Sequence, residues 1–210
     1  RDRAEELLAG LESGERRFQN VDALTPISET KSTYEQQDKE QAIVVIAYPT
    51  DGLYSEDALT LELIDDACSD MSSRLYVKIR EELGAAYMVG TSRMLGFAGG
   101  CFYFYVATAP EMAEKVEAAL QDEIAHLAKN GIESEEFARA KRSWQGSHKN
   151  RLQSLGACAR THSLDELYDF GWDHSNQTPA LIDQIDEDRI RDVTNRYFND
   201  QPQAIVRVSP

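Results

Sequence analysis

The amino-acid sequence predicts an α+β fold in two layers, with helices packed on one face of a mostly antiparallel sheet. Three observations carry that expectation. Apolar runs of strand length recur, most clearly at 41–48, where Ile43, Val44, Val45 and Ile46 are β-branched and Pro49 ends the run. Longer segments place apolar residues at helical spacing, as at 110–129 with Met112, Val116, Ala119, Leu120, Ile124 and Leu127. The elements then follow in the order strand, helices, two strands, helices, strand.

Taken in order, 2–11 reads as an amphipathic helix with Ala4, Leu7, Leu8 and Leu11 on one side and Gly14 as its stop. Residues 18–31 are irregular and contain Pro26, and 32–39 is polar, an extended edge. After strand 41–48, Asp51-Gly52 marks a turn, and Ser55 followed by Glu56 and Asp57 is a helix cap with acids in the first turn. The helix behind it carries Ala58, Leu61, Leu63, Ile64 and Ala67. Residues 69–73 interrupt, and a short helix at 74–83 stops at Gly84. Two strands follow, 86–94 and 99–108. The second is apolar on both faces, which predicts a central, covered strand. Pro110 opens the long helix, Asn130-Gly131 closes it, and Ser134 caps another that turns Phe137, Ala140 and Trp144 inward, with more helix through Leu167. A helix at 186–198 and a strand at 203–208 complete the chain. Residues 1–40 are expected to be an N-terminal helix and linker of the same domain, and 41–210 its main body. Arg1 stands first and no signal-peptide pattern follows, so the chain reads as a processed product or a piece of something longer.

Composition narrows the function classes. With 22 basic and 37 acidic residues the formal net charge is −15, a balance that repels phosphate backbones and argues against general nucleic-acid binding. The stretch 137–164 runs the other way, with Arg139, Lys141, Arg142, Lys149, Arg151 and Arg160 and no acid. It is either a docking surface for an acidic partner or a solvated helix face. No apolar run reaches the roughly 18 residues of a membrane span. Cys68, Cys101 and Cys158 are odd in number, far apart and set among small or apolar residues. They read as buried thiols rather than as a disulfide framework or a zinc site.

Motifs for chemistry are sparse. His126, His148, His162 and His174 include no i, i+4 pair, so neither H-E-x-x-H nor H-x-x-E-H occurs and no metal site is expected in this chain. Phosphate-binding glycine loops and the G-x-S-x-G nucleophile elbow are absent from the sequence as well. One segment stands out. Ser72-Ser73-Arg74-Leu75 leads into Arg80-Glu81-Glu82-Leu83-Gly84-Ala85-Ala86-Tyr87. Arg80 lies in the last turn of a helix, Gly84 folds the chain back, and Tyr87 enters a strand. A guanidinium fork and a phenol are donors suited to a peptide carbonyl and its developing oxyanion. The bland alternative pairs Arg80 with Glu81 or Glu82 and uses Tyr87 to cap the core.

This segment resembles the R-E-x-x-G-x-A-Y stretch of the insulinase/pitrilysin family of zinc metallopeptidases, the inverzincins. The likeness runs from Gln41 to Pro210. It takes in the S-S-R-L run, Gly99-Gly100 between the paired strands, Ala109-Pro110 before the long helix, Gly131-Ile132 before Glu135-Glu136-Phe137, and the closing run from Ile185. The resemblance implies one of the family's α+β half-domains, of the C-terminal type that binds no zinc. In such enzymes two homologous halves close over an unfolded or extended peptide. One half holds zinc through H-x-x-E-H and a distal Glu, and the other contributes an Arg and a Tyr. Carried over, Arg80 orients the peptide and Tyr87 hydrogen-bonds the scissile-region carbonyl. Zinc belongs to a partner half, in the same polypeptide or a separate subunit, and this chain alone is inactive. Asp70-Met71-Ser72 stands where the family often has a glycine, and the strand expected before the first helix is missing. The same resemblance also admits a non-catalytic scaffold or assembly subunit. Bacterial periplasm, cytoplasm and organelle are all compatible with three unpaired cysteines.

Overall fold

A computed structural model of the chain describes residues 2–12, 14, 25 and 27–210. Helix α1 (Asp2–Leu8) is followed by β1 (Lys31–Gln36), β2 (Ala42–Thr50), α2 (Ala58–Ser69) and α3 (Arg74–Tyr76), which runs on as a π-helix, Val77–Glu82. Then come β3 (Ala86–Leu95), β4 (Gly100–Thr108), a 3-10 turn at Pro110–Met112, α4 (Ala113–Asn130) and α5 (Ser134–Arg151). Helices α6 (Leu155–Leu167), α7 (His174–Gln184) and α8 (Glu187–Phe198) precede β5 (Ala204–Ser209). The five strands form one sheet in the order β1-β5-β2-β4-β3. The β1–β5 pairing is parallel and the other three pairings are antiparallel, as the two-layer α+β expectation requires.

Alternation along the strands decides where the core lies. Ala42, Val44, Ile46 and Tyr48 of β2, Phe102, Phe104 and Val106 of β4, and Ile205 of β5 are buried together against Leu61 and Ile64 of α2, Val116, Leu120 and Ile124 of α4, and Ile190, Val193 and Phe198 of α8. Phe198 sets its ring 5.2 Å from Tyr48, 5.2 Å from Phe102 and 5.5 Å from Phe104. Tilted and edge-on contacts of this kind add to the area term. The opposite sheet face differs from the expectation for β4. The strand is central, but Cys101, Tyr103, Tyr105 and Ala107 are only half-buried, and Ile43 and Val206 beside them are exposed. Among the described residues, helices cover one face only, and the two tyrosines tolerate water through their hydroxyls.

Several boundaries move, each for a local reason. Helix α1 ends at Leu8, and Leu7, Leu8 and Leu11 remain exposed. The predicted irregular stretch 18–31 falls largely outside the described residues. Ser55 accepts the Asp57 N–H at 3.1 Å, but α2 begins only at Ala58, with Asp57 as the residue before it. Helix α5 is capped by Glu133, which forms a reciprocal capping box with Glu136, so Ser134 is its first helical residue. The predicted helix 74–83 is one α turn followed by the π-helix. Helix α7 escaped the sequence reading altogether. Pro179 sits inside it and it buries only Thr178 and Ile182, too little for an apolar stripe.

Candidate functional site

The region around Arg80 is built from its mount upward. Ser73 is buried, accepts the Tyr76 N–H at 3.1 Å and donates to the Cys68 carbonyl at 3.0 Å, capping α3 and tying it to the end of α2. Arg74 reaches across to α4, donating to Glu123 at 3.0 Å and meeting His126 Nε2 at 3.0 Å, while its own N–H bonds Glu136 at 2.9 Å. The S-S-R-L run therefore fixes the helix start rather than taking part in chemistry. On the far side, Ser69 of α2 donates to the Thr91 carbonyl and accepts the Thr91 N–H, pinning the free edge of β3. Thr91 in turn donates to Asp65 at 2.6 Å.

Two backbone irregularities lie between these anchors. In the π-helix the Leu83 N–H reaches back five residues to the Lys78 carbonyl. Such wide turns are uncommon and recur at functional sites. Gly84 then takes φ +60, a left-handed conformation that favours glycine, and the buried Thr108 hydroxyl holds the Ala85 carbonyl. At the entry of β3 the register slips between Ala86 and Met88, leaving Tyr87 as the extra residue of a β-bulge. Bulges re-aim a side chain and leave ladder groups unpaired. Arg80 Nη1 donates to the Tyr87 carbonyl at 3.2 Å, and the guanidinium lies 5.3 Å over the Tyr76 ring.

The two residues singled out from sequence are thus brought together, and neither takes the bland role. Glu82 is bound by Lys78 at 2.8 Å, not by Arg80. Tyr87 is 59% exposed and does not cap the core. Among the described residues no group hydrogen-bonds its hydroxyl. Tyr76 carries no mark in the sequence as a polar donor. An aromatic four residues before an arginine in a helix was the available signal.

Other clusters look different. Asp57, 2% exposed, is held by Arg189 at 2.6 Å, Arg196 at 2.5 Å and the Tyr197 hydroxyl at 3.0 Å, and that hydroxyl also meets Asp51 at 2.8 Å. Burial, then the neighbouring Asp51 carboxylate, pushes the Tyr197 phenol well above its usual range. On α2, Glu62 accepts from Trp144 at 2.8 Å and pairs with Arg93 at 3.3 Å. Beside it Asp66 is raised to about 6, first by burial and then by the Glu62 and Asp65 charges. His148 stacks on Trp144 at 4.8 Å, and burial followed by the Arg151 charge lowers it below the usual imidazole value.

No group of three or more His, Cys, Asp or Glu among the described residues could hold a metal ion. His162 meets Asp165 only at 3.9 Å and bonds the Trp172 carbonyl at 2.8 Å. Of the thiols, Cys68 is buried and burial raises it, while Cys101 and Cys158 are half-buried rather than buried. Part of the basic stretch is used internally: Arg139 lies by Asp70, Lys141 bonds the Asp183 and Ile185 carbonyls, and Arg151 lies by Glu62. A cavity of about 30 Å³ lies beside Cys68, Ser73 and Glu136, and an open hollow of about 600 Å³ is lined by Tyr54, Leu59, Arg93, Phe170, His174 and Arg189. No described helix is long and apolar enough to cross a membrane.

Comparison with known proteins places this chain in a family. Residues 2–143 match the family model described as the peptidase M16 inactive domain. An uncharacterized zinc protease of Streptomyces coelicolor is 30% identical over 172 residues, covering 80% of this chain and 37% of its own length. Among solved structures, a peptidase M16 inactive domain from Pseudomonas fluorescens superimposes with TM-score 0.87 at 19% identity, over 99% of this chain and 49% of that one. A protease from Helicobacter pylori gives TM-score 0.84 at 16% identity, over 100% and 52%. The chain belongs to the peptidase M16 inactive-domain family, the non-zinc half-domains of insulinase/pitrilysin-type zinc proteases. It spans well under half the length of the Streptomyces relative.

Proposed function

We propose that this chain is the substrate-holding half of a zinc metalloendopeptidase acting on unfolded or extended peptides, with the zinc supplied by a partner half. The observation that carries this reading is the pairing of a π-helix and a β-bulge that set Arg80 against the Tyr87 carbonyl and leave the Tyr87 hydroxyl unbonded among the described residues. Arg80 would orient the peptide backbone through the remainder of its fork. Tyr87 would donate to the scissile-region carbonyl, an interaction that strengthens as charge develops on that oxygen. The site is exposed and open, which suits a chain passing over it better than a small molecule enclosed in a pocket. In the partner half, zinc would supply the activated water.

The test is Tyr87→Phe in the complete protein, assayed on an unstructured peptide. The reading expects kcat to fall roughly 10²- to 10³-fold, the cost of one oxyanion donor, with little change in KM. Unchanged kcat would remove the oxyanion role. A complete protein whose remaining sequence has no H-x-x-E-H would turn the reading to a non-catalytic scaffold of the same fold.

A further inference from the structure

Arg80 raises a physical difficulty. An exposed arginine samples many rotamers, and one that must hold a peptide in register needs its fork confined beforehand. Two contacts confine it here. The Tyr87 carbonyl takes one Nη1 hydrogen, and the half-buried Tyr76 ring lies under the guanidinium at 5.3 Å. Tyr76 closes α3 and Arg80 lies four residues on, in the π-helix, while Ser73 and Arg74 fix the turn that carries the ring.

We infer that Tyr76 is a positioning residue: its ring is the shelf that confines the Arg80 guanidinium for the incoming peptide, and the ring face, not the hydroxyl, does this. The inference rests on the peptide-holding role proposed for Arg80. An exposed guanidinium over a half-buried ring gains little, so the expected effect is modest. In the complete protein, Tyr76→Leu lowers kcat/KM about 2- to 5-fold, moving the same constant, kcat or KM, that Arg80→Ala moves. Tyr76→Phe restores the parental value. In the Arg80→Ala background, Tyr76→Leu causes no further loss. No loss on Tyr76→Leu, an equal loss on Tyr76→Phe, or a loss that persists without Arg80 would each overturn the inference; the last would mean that Tyr76 meets the peptide itself.

A readout independent of activity separates this inference from the reading beneath it. The Arg80 Cδ protons should resonate upfield through the ring current of Tyr76, and should lose that shift in Tyr76→Leu but not in Tyr76→Phe. No ring-current shift in the parent protein overturns the shelf. A shift together with an Arg80→Ala variant of full activity would instead overturn the peptide-holding role, and with it any positioning function.

Discussion

Two arginine-centred regions of this domain contrast with each other. At the start of α2, two guanidiniums and a phenol from α8 converge on the buried Asp57. At the start of β3, one guanidinium lies on the surface over an aromatic ring, bonded to a single backbone carbonyl, with a phenol next to it that nothing described engages. The first arrangement ties elements more than 130 residues apart in sequence, and its groups are occupied with one another. The second is held by irregular backbone and leaves donors facing outward. Satisfied buried charge is the signature of a structural tie, whereas preorganised, unsatisfied donors on strained or irregular backbone suit a ligand.

The contrast can be broken from either side. The largest effect on stability is expected from Asp57→Ala, which leaves Arg189 and Arg196 facing each other without their shared carboxylate, while the Tyr197 hydroxyl keeps Asp51. The two arginines are partly solvated, so the cost falls at about 2–4 kcal/mol, read as a lowered midpoint in urea or thermal unfolding. A loss below about 0.5 kcal/mol would show that the tie is not structural. A smaller effect of opposite sign belongs to Asp66. Its folded pKa is raised to about 6, so the native state binds more protons than the unfolded chain, and stability falls as pH rises from the ordinary carboxylate range through 6. Asp66→Asn should therefore stabilise the domain by roughly 1–2 kcal/mol at pH 8, after allowing for partial exposure, and by almost nothing at pH 3.5. Equal effects at both pH values would remove the electrostatic cause. Smaller still is Gly84→Ala. Its Cβ has open space but its φ of +60 does not suit it, and about 1 kcal/mol is the expected cost in an unfolding titration.

The same contrast explains what the sequence could and could not reveal. Strands β2 and β4 were legible because β-branched and aromatic residues alternate there, and α4 because its apolar positions repeat at helical spacing. Arg80 and Tyr87 were legible as a pair because Gly84 between them announces a reversal and the family resemblance supplies a role. The backbone that sets them was not legible. Val77–Glu82 reads as ordinary helix, and nothing local says that one turn takes an extra residue or that β3 begins with a bulge. Asp57 was read as a first-turn acid because its partners, Arg189 and Arg196, follow more than 130 residues later, and long-range pairing leaves no periodic trace. The open sheet face was misjudged for a related reason. Alternation shows that both faces of β4 are apolar, but not which of them the described helices cover.

The most direct test of the central claim, that the Arg80–Tyr87 surface holds a peptide rather than the fold, is Arg80→Ala in the complete protein with stability and kcat/KM measured on the same preparation. The account predicts an unfolding free energy within about 0.5 kcal/mol of the parent, as for other exposed positions, and kcat/KM at least roughly tenfold lower. An unchanged kcat/KM, or a loss of stability comparable to that of Asp57→Ala, would contradict it.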